Sequence, residues 1–352
     1  MKNAFLNEQE TKEELAKFIV HAKRLSMDEQ CAKFEEEFAA FQGAKEAVLF
    51  NSGGSANLAM LQTLKNLYKL KEGDRVGVSS LTWSTNVMPI IQLGLEPVLI
   101  DCELTTLNVM SHQLREQLKD TELQAFFITN VLGFAGDLDT IKGICNERNI
   151  ILIEDNCEAL GTELPEGKAG SFGDMASFSF FVAHHMSTIE GGMVCTNDEE
   201  FAEMLRIVRA NGWDRNLKIK QQHKWRKKYD IRWEFDAKYT FYDLGYNFRP
   251  TEITGFLGRY QLQFLKENIA ARERNYLALE SIVKENSDLI TLDRSHIKLL
   301  SNFAFPVICK TPAIREKYLA QFSGAGIEIR PMIAGNIQNQ PFYRKYVSKL
   351  YD

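Results

Sequence analysis

The sequence predicts an α/β protein built around a mainly parallel β-sheet, and two observations support this prediction. In the first half of the chain, short apolar runs alternate with amphipathic segments of about ten or more residues. This alternation is typical of βαβ units, in which a helix connects two parallel strands. Two further apolar runs, 176–181 and 192–197, follow each other closely, so we expect the sheet to be mixed.

The elements are assigned in chain order from the spacing of apolar residues. Helices are expected at 9–24, 28–42, 54–70, 84–94, 111–120, 138–149, 252–286 and 312–323. Strands are expected at 46–52, 75–80, 97–102, 125–131, 150–155, 176–181, 192–197 and 302–309. Residues 214–245 are charged and aromatic without clean periodicity, which predicts a long loop. We expect a large domain over 1–245 and a smaller C-terminal domain over 246–352.

The composition limits the class of protein. The 352 residues are 45% hydrophobic and 25% charged, as expected for a globular protein with one large and one small domain. A net charge of −5 and the lack of a long basic arm argue against a nucleic-acid partner. The polar N-terminus is not typical of a signal peptide, and no run of about 20 apolar residues could span a membrane. We therefore expect a cytoplasmic protein with no membrane partner.

The six cysteines argue against metal centres. They are Cys31, Cys102, Cys145, Cys157, Cys195 and Cys309. None of them forms a C-x-x-C or C-x-C pair, the spacing that zinc sites and iron–sulfur clusters commonly use. We therefore expect reduced thiols, with neither zinc nor an iron–sulfur cluster.

Three segments near predicted strand ends carry candidate functional residues. The first, FNSGGSANLAM (50–60), places small residues between a strand and a helix, where free N–H groups can bind an anion. A plain capped turn has the same pattern. The second, IILIEDNCEALG (150–161), ends a strand on Glu154-Asp155, at the sheet edge where ligands bind in open α/β sheets. Such an acid could hold a protonated ring nitrogen or a metal, or it could cap the next turn.

The third segment, FFVAHHMSTIEGG (181–193), contains two adjacent histidines. The pair could bind a metal, but adjacent side chains usually point apart and no carboxylate lies three or four positions further on. A single packed or exposed histidine is the plainer alternative. An imidazole can also transfer protons near neutral pH. This segment alone leaves the choice open.

In their order along the chain, these segments resemble the DegT/DnrJ/EryC1/StrS sugar aminotransferase family. The resemblance extends from Leu25 to Tyr343 and includes the segments 26–58, 79–103, 153–161, 178–185, 245–250 and 326–337. It implies the fold-type I aminotransferase fold that depends on pyridoxal phosphate (PLP), with a large domain of mainly parallel sheet and a smaller C-terminal α/β domain. Family members usually continue for some tens of residues beyond this point, so we expect the smaller domain to be either naturally short or cut.

The resemblance also implies a role for individual residues. The expected positions are Gly54, Ser55 and Ser179 at the cofactor phosphate, Asn247 at the phosphate of a neighbouring subunit, Trp83, Asp155 and Glu158 at the cofactor ring, and Arg215 and Arg330 at the substrate or donor carboxylate. The family often has serine where this chain has Gly54, so one hydroxyl is lost while the backbone amides remain. The expected place of Asn247 implies a homodimer with shared active sites.

His184 occupies the position where the aminotransferases of the family carry the lysine that binds PLP covalently. The segment FSFFVAHH matches the family's F-S-F-Y-P-x-K, although a slip of one residue would place His185 there. Since imidazole forms no stable imine, the resemblance narrows to the histidine-bearing 3-dehydratase branch. That branch implies non-covalently bound PLP and pyridoxamine phosphate (PMP), and the cysteine pattern indicates the type without an iron–sulfur cluster. The nearby Lys168 is expected in a surface turn.

The implied reaction removes the C3 hydroxyl of a nucleotide-linked 4-keto-6-deoxy sugar. The expected substrate is GDP-4-keto-6-deoxy-mannose, L-glutamate is the amino donor, and His184 acts first as base and then as acid. Such an enzyme would serve deoxysugar and O-antigen biosynthesis. Two alternatives stay open: an aminotransferase that uses another lysine, and a non-catalytic protein that keeps the PLP fold. The sequence also leaves open a CDP- or dTDP-linked sugar and a heptose.

Overall fold

The computed structural model describes residues 4–348, and a seven-stranded sheet forms its centre. The strands are β1 Glu46–Phe50, β2 Arg75–Ser79, β3 Glu96–Ile100, β4 Ala125–Thr129, β5 Ile151–Asp155, β6 Glu163–Leu164, β7 Gly167–Lys168, β8 Met175–Ser179, β9 Gly192–Thr196, β10 Leu289–Ile290 and β11 Ile308–Cys309. The order across the large sheet is β1-β9-β8-β5-β4-β2-β3. Strand β9 runs antiparallel to β1 and β8, whereas the other neighbouring pairs are parallel. The predictions of an α/β fold and of a mixed, mainly parallel sheet are confirmed.

The helices cover both faces of this sheet and extend beyond it. They are α1 Glu8–His21, α2 Glu29–Gln42, α3 Gly53–Asn66, α4 Ser84–Gln92, α5 Ser111–Asp120, α6 Leu138–Arg148, α7 Glu199–Arg209, α8 Ile219–Lys228, α9 Glu234–Ala237, α10 Glu252–Lys284, α11 Pro312–Gly324 and α12 Pro341–Tyr346. The predicted helices are confirmed to within a few residues at each end. Helix α7 was not predicted, although Asp198 caps it by accepting from the N–H groups of Glu200 and Phe201.

The prediction of a long loop over 214–245 was wrong. This segment contains α8 and α9, and the seven charged or amide residues that dominate α8 obscure its helical period. Trp225 anchors α8, because its ring is buried and its Nε1 donates a hydrogen bond to Glu203 on α7. A single buried aromatic residue therefore holds a helix that is otherwise largely exposed.

The predicted strand over 302–309 was also wrong for most of its length. Only Ile308–Cys309 form a strand, which pairs with Leu289–Ile290. The carbonyl groups of Asn302 and Phe303 instead accept hydrogen bonds from Nη1 of Arg272, at 3.0 and 3.1 Å. A side chain thus satisfies backbone groups that the apolar pattern had assigned to a sheet.

A cluster of phenylalanines fixes β8 beneath α2. Phe34 and Phe38 on α2 pack against Phe178 and Phe180, with ring centroids 5.2 Å apart, and all four side chains are fully buried. Burial of each such side chain contributes about 1.5–3 kcal/mol to stability. The end of β8, where Ser179 lies between Phe178 and Phe180, is therefore rigidly placed.

Helix α10 ties the later part of the chain to the N-terminal helices. Its 33 residues span about 50 Å. The buried carboxylate of Glu252 accepts hydrogen bonds from the N–H groups of Asp28, Gln30 and Cys31, at 2.6, 2.8 and 3.1 Å. It therefore caps α2 and ties the start of α10 to it. The division into domains 1–245 and 246–352 stays a prediction, and residues 1–3 and 349–352 of those ranges lie outside the described residues.

Within residues 4–348, no helix combines the length and the low polarity that crossing a lipid bilayer requires. The cytoplasmic location stays a prediction.

Candidate active site

Several elements meet at the carboxyl edge of the parallel strands. Asp155 ends β5, and in the sheet register it lies between Thr129 of β4 and Ser177 of β8. Helix α3 begins soon after β1 ends and α4 soon after β2 ends, so both helix N-termini lie at this edge. Open α/β sheets bind ligands at this edge.

Asp155 is a buried carboxylate with three hydrogen-bond donors, and its side chain is 4% exposed. Its Oδ2 accepts from Nδ2 of Asn57 at 3.0 Å and from Nδ2 of Asn86 at 2.7 Å. Its Oδ1 accepts from the N–H of Cys157 at 2.9 Å. The sequence analysis predicted a role for Asp155 but did not point to either asparagine. The available signal was that each asparagine lies near the start of a helix that follows a strand.

The first turn of α3 holds Gly54 and Ser55 and is capped by Ser52. The N–H of Ser55 donates to Oγ of Ser52 at 3.0 Å, and the two hydroxyls are 2.9 Å apart. A Cβ atom at Gly53 would lie 2.8 Å from Cβ of Ser179, so a larger residue there would push β8 away from the helix. The capped turn uses the N–H of Ser55, while the N–H groups of Gly53 and Gly54 have no intrahelical partner. Such a helix start attracts anions.

The adjacent histidines have different surroundings. His185 is 1% exposed, and its Nε2–H donates to the carbonyl of Ser301 at 2.9 Å. His184 is half-buried, with its ring centroid 5.1 Å from that of Phe303. Its buried Nδ1 has no hydrogen-bond partner among the described residues. Burial lowers the pKa of His184 to about 4, against the opposing effect of the Asp155 charge, so its imidazole is neutral at neutral pH and can accept a proton.

Glu158 borders the same site on a short turn after β5. Its Oε2 accepts from the N–H of Leu132 at 2.9 Å, and Leu132 has the left-handed φ of 54° that few non-glycine residues adopt. Burial raises the pKa of Glu158 to about 7; the hydrogen bond from Leu132 opposes the rise, and the Asp155 charge adds to it. Glu158 can therefore be either neutral or charged near neutral pH.

This raised pKa predicts a pH-dependent difference in stability between the wild type and Glu158→Gln. The pKa rises from an ordinary value of 4.5 to about 7, so the stability that the neutral carboxyl provides is fully present below about pH 4.5 and is lost as the pH rises to 7. We expect the variant to gain about 1–3 kcal/mol relative to the wild type between pH 4.5 and pH 8. Urea unfolding of the protein without cofactor at several pH values measures this.

The matched control is Glu166→Gln on an exposed turn, where substitutions usually change the free energy of unfolding by no more than about 0.5 kcal/mol. A Glu158→Gln difference that does not change with pH would contradict the assignment.

Trp83 and Asn247 are exposed residues beside this edge. Trp83 directly precedes α4, and 56% of its surface is accessible. Asn247 is exposed, and its Oδ1 accepts from Nε of Arg249 at 3.0 Å. The next residue, Phe248, accepts a hydrogen bond from the N–H of Asn51 at 3.0 Å, so this segment lies beside the start of α3.

The two arginines have partners outside the surroundings of Asp155. Arg215 is exposed and lies 4.0 Å above the ring of Trp213, where it also donates to the carbonyl of Lys238. Arg330 is exposed and forms an ion pair with Glu328. Their roles at the substrate or donor carboxylate stay predictions.

Two alternatives considered above are a cofactor bound to another lysine and a metal site. The nearby Lys168 donates to the carbonyl of Phe41 and lies 4.2 Å above that ring, so it does not point toward Asp155. Within residues 4–348, no three His, Cys, Asp or Glu side chains converge in a way that could hold a metal ion.

The fold and the site together define an α/β protein with the PLP-dependent aminotransferase fold. The sequence profile of the DegT/DnrJ/EryC1/StrS aminotransferase family matches residues 7–351, and the chain belongs to this family.

Individual relatives lie in the dehydratase branch of the family. The GDP-4-keto-6-deoxy-D-mannose 3-dehydratase of Escherichia coli O55:H7 is 35% identical over 330 residues, which is 93% of this chain and 84% of the relative. The E. coli enzyme with bound hydrated PLP superposes with a TM-score of 0.84 at 32% identity over 96% of this chain and 86% of that one. A structure of a GDP-4-keto-6-deoxymannose-3-dehydratase with a trapped PLP–glutamate geminal diamine gives a TM-score of 0.86 at 32% identity, over 97% of this chain and 86% of that one.

Proposed function

We propose that this protein is a PLP-dependent 3-dehydratase that removes the C3 hydroxyl of GDP-4-keto-6-deoxy-mannose, with L-glutamate as the amino donor. The observation that carries the proposal is the place of His184, at the sheet edge where helix α3 begins. Its imidazole is neutral near pH 7, and the charge of Asp155 acts on it. The names of the relatives at 35% and 32% identity support the same reaction.

The residues around Asp155 fit PLP or PMP. The N-terminus of α3, with Gly54, Ser55 and the adjoining Ser179, suits a phosphate group. The exposed face of Trp83 suits a planar ring. The anchored carboxylate of Asp155 suits a protonated ring nitrogen, and Glu158 borders the same space.

When bound, the cofactor supplies an electron sink for carbanion chemistry. His184 accepts the proton whose removal makes electrons available, because its imidazole is neutral near pH 7. The protonated imidazole then returns a proton to the C3 hydroxyl, which leaves as water. Glutamate provides the two electrons that the sugar gains, so 2-oxoglutarate and ammonia accompany the 3-deoxy-4-keto product.

The direct test incubates the purified protein with PLP, L-glutamate and GDP-4-keto-6-deoxy-mannose. We expect ammonia, 2-oxoglutarate and the 3-deoxy sugar in equal amounts. An amino sugar without free ammonia, together with a lysine adduct trapped by borohydride, would instead indicate an aminotransferase. Absence of PMP binding in an absorbance titration would indicate a non-catalytic protein. CDP- and dTDP-linked substrates in parallel reactions test the choice of nucleotide.

Trp83→Ala is expected to weaken PMP binding with little effect on folding. Loss of an aromatic stacking partner costs about 0.5–1.5 kcal/mol, which corresponds to roughly a twofold to tenfold rise in the dissociation constant. The thermal midpoint without cofactor should hardly change, since 56% of Trp83 is exposed. Absorbance titration measures the affinity, and Trp83→Phe is the control that should keep most of it. Equal affinities for Trp83→Ala and the wild type would exclude stacking.

We also propose that two copies associate and that Asn247 reaches the phosphate site of the partner. Three exposed aromatic side chains support an interface: Phe235, Tyr239 and Phe241 are 80%, 73% and 57% exposed. Exposed apolar surface often marks a protein interface, and Tyr239 and Phe241 both contact the ring of Trp213. Asn247 lies on the same segment of chain and is exposed, as a residue that acts across an interface would be in the single chain.

Mixing two inactive variants tests the shared site. His184→Gln and Asn247→Ala should each be inactive alone, whereas mixed dimers contain one intact site formed by both chains. After unfolding and refolding the mixture, we expect about a quarter of the wild-type activity, because half of the dimers are mixed and each holds one intact site of two. No recovery, with a dimer shown by sedimentation velocity, would place Asn247 at the site of its own chain.

A further inference from the structure

Two asparagines from different helices converge on one oxygen of Asp155. Asn57 lies near the start of α3 and Asn86 near the start of α4, and both side chains are fully buried. Their Nδ2 groups donate to the same atom, Oδ2, at 3.0 and 2.7 Å. The two helices follow strands β1 and β2, so residues far apart in the sequence are brought to the end of β5.

The amide orientations indicate that these contacts serve Asp155. Oδ1 of Asn57 and Oδ1 of Asn86 are buried and have no hydrogen-bond partner among the described residues. Rotating either amide by half a turn would place its oxygen against the carboxylate, which like charges disfavour. Each side chain thus leaves one polar atom unsatisfied while it donates to Asp155. Buried groups of this kind are rare in folded proteins and call for a functional explanation.

We propose that Asn57 and Asn86 are positioning residues that fix the Asp155 carboxylate and direct its Oδ1 toward the cofactor ring nitrogen. Oδ2 already accepts two hydrogen bonds, whereas Oδ1 accepts one, from Cys157, and can accept another. This inference rests on the proposed function.

The physical role follows from the fixed orientation of the carboxylate. A functional side chain whose position is held by hydrogen bonds from surrounding residues is already oriented for its partner, here a ring nitrogen, before that partner binds. The other titratable groups near Asp155 give no equivalent support. Glu158 and the thiol of Cys157 carry no positive charge, and His184 is neutral near pH 7 because burial lowers its pKa to about 4. The two amides are therefore the side-chain donors that fix this carboxylate.

The test uses Asn57→Leu and Asn86→Leu, which keep the side-chain volume and remove the donor. PMP labelled with ¹⁵N at the ring nitrogen is bound to each protein at fixed pH. In both variants we expect the ¹⁵N signal to move toward that of unprotonated pyridine. We expect the PMP dissociation constant to rise about tenfold, the scale of one hydrogen bond to a charged group. The matched control is Asn66→Leu on α3, whose Nδ2 donates to the carbonyl of Leu244. This control should lower the thermal midpoint without moving the ¹⁵N signal.

Unchanged ¹⁵N signals and affinities in the folded Asn57→Leu and Asn86→Leu proteins would overturn the proposal. Should the wild type itself fail to bind PMP, the proposed function falls, and crystal structures of the cofactor-free variants decide the positioning role separately. A displaced or multiply placed Asp155 carboxylate supports that role. A carboxylate in its wild-type position in both variants excludes it.

Discussion

His184→Gln is expected to abolish dehydration while the protein still folds and binds PMP. Glutamine fills the half-buried space but cannot accept a proton and return it. General acid–base catalysis by one side chain contributes about 10²–10⁴-fold to a rate, so kcat should fall by at least this factor. Stability should fall little, because Nδ1 of His184 has no hydrogen-bond partner among the described residues that the substitution could remove. Ammonia release at saturating glutamate and sugar measures kcat, and absorbance titration measures PMP binding.

The matched control is His112→Gln, which replaces an exposed histidine on α5 and should leave kcat and PMP binding unchanged. A separate measurement on His185→Gln distinguishes the two neighbours. His185 is buried and donates a hydrogen bond to the carbonyl of Ser301, so its loss should lower the thermal midpoint more than it lowers kcat. If His184→Gln kept most of its activity while His185→Gln lost it without unfolding, the proton-transfer role would belong to His185.

The fold was predictable from the sequence because its strands and helices carry strong local signals. Strands β4 and β8 are apolar along most of their length, and all five residues of each are buried, as expected for the centre of a sheet covered on both faces. Helix α3 begins where the sequence places a serine before two glycines. Signals of this kind need no knowledge of distant partners, so they can be read directly from the chain.

The contacts of the site could not be predicted in the same way, because they depend on partners distant in sequence. Asn86 looks like an ordinary early helix residue until the sheet order brings α4 beside the end of β5. Asn302 and Phe303 look like part of a strand until Arg272 of α10 takes their carbonyl groups. The resemblance to a known family predicted roles for Asp155 and His184 but carried no information about the donors around them.

Asp155→Asn is expected to be the second most damaging substitution for activity. The carbonyl of asparagine can still accept hydrogen bonds from Asn57 and Asn86, so the fold should survive. The charge that would keep a cofactor ring nitrogen protonated is lost. Removing one preorganised electrostatic group from an active site typically costs about 10²–10³-fold in kcat. We therefore expect a loss of this size and weaker PMP binding, measured by ammonia release and absorbance titration.

The neighbouring residue Glu154 provides a control on the same strand. Its fully buried carboxylate accepts hydrogen bonds from the N–H groups of Gly170, Phe172 and Gly173 at 2.7, 2.8 and 2.7 Å. Glu154 therefore fixes a loop that has no role in the proposed reaction. Glu154→Gln removes one of two accepting oxygens and should lower the free energy of unfolding by about 1–3 kcal/mol. The protein that remains folded should keep its kcat. The two adjacent carboxylates would then have different roles, since loss of Glu154 lowers stability and loss of Asp155 lowers kcat. An Asp155→Asn protein that loses stability but keeps its kcat would refute the assignment of Asp155 to the cofactor.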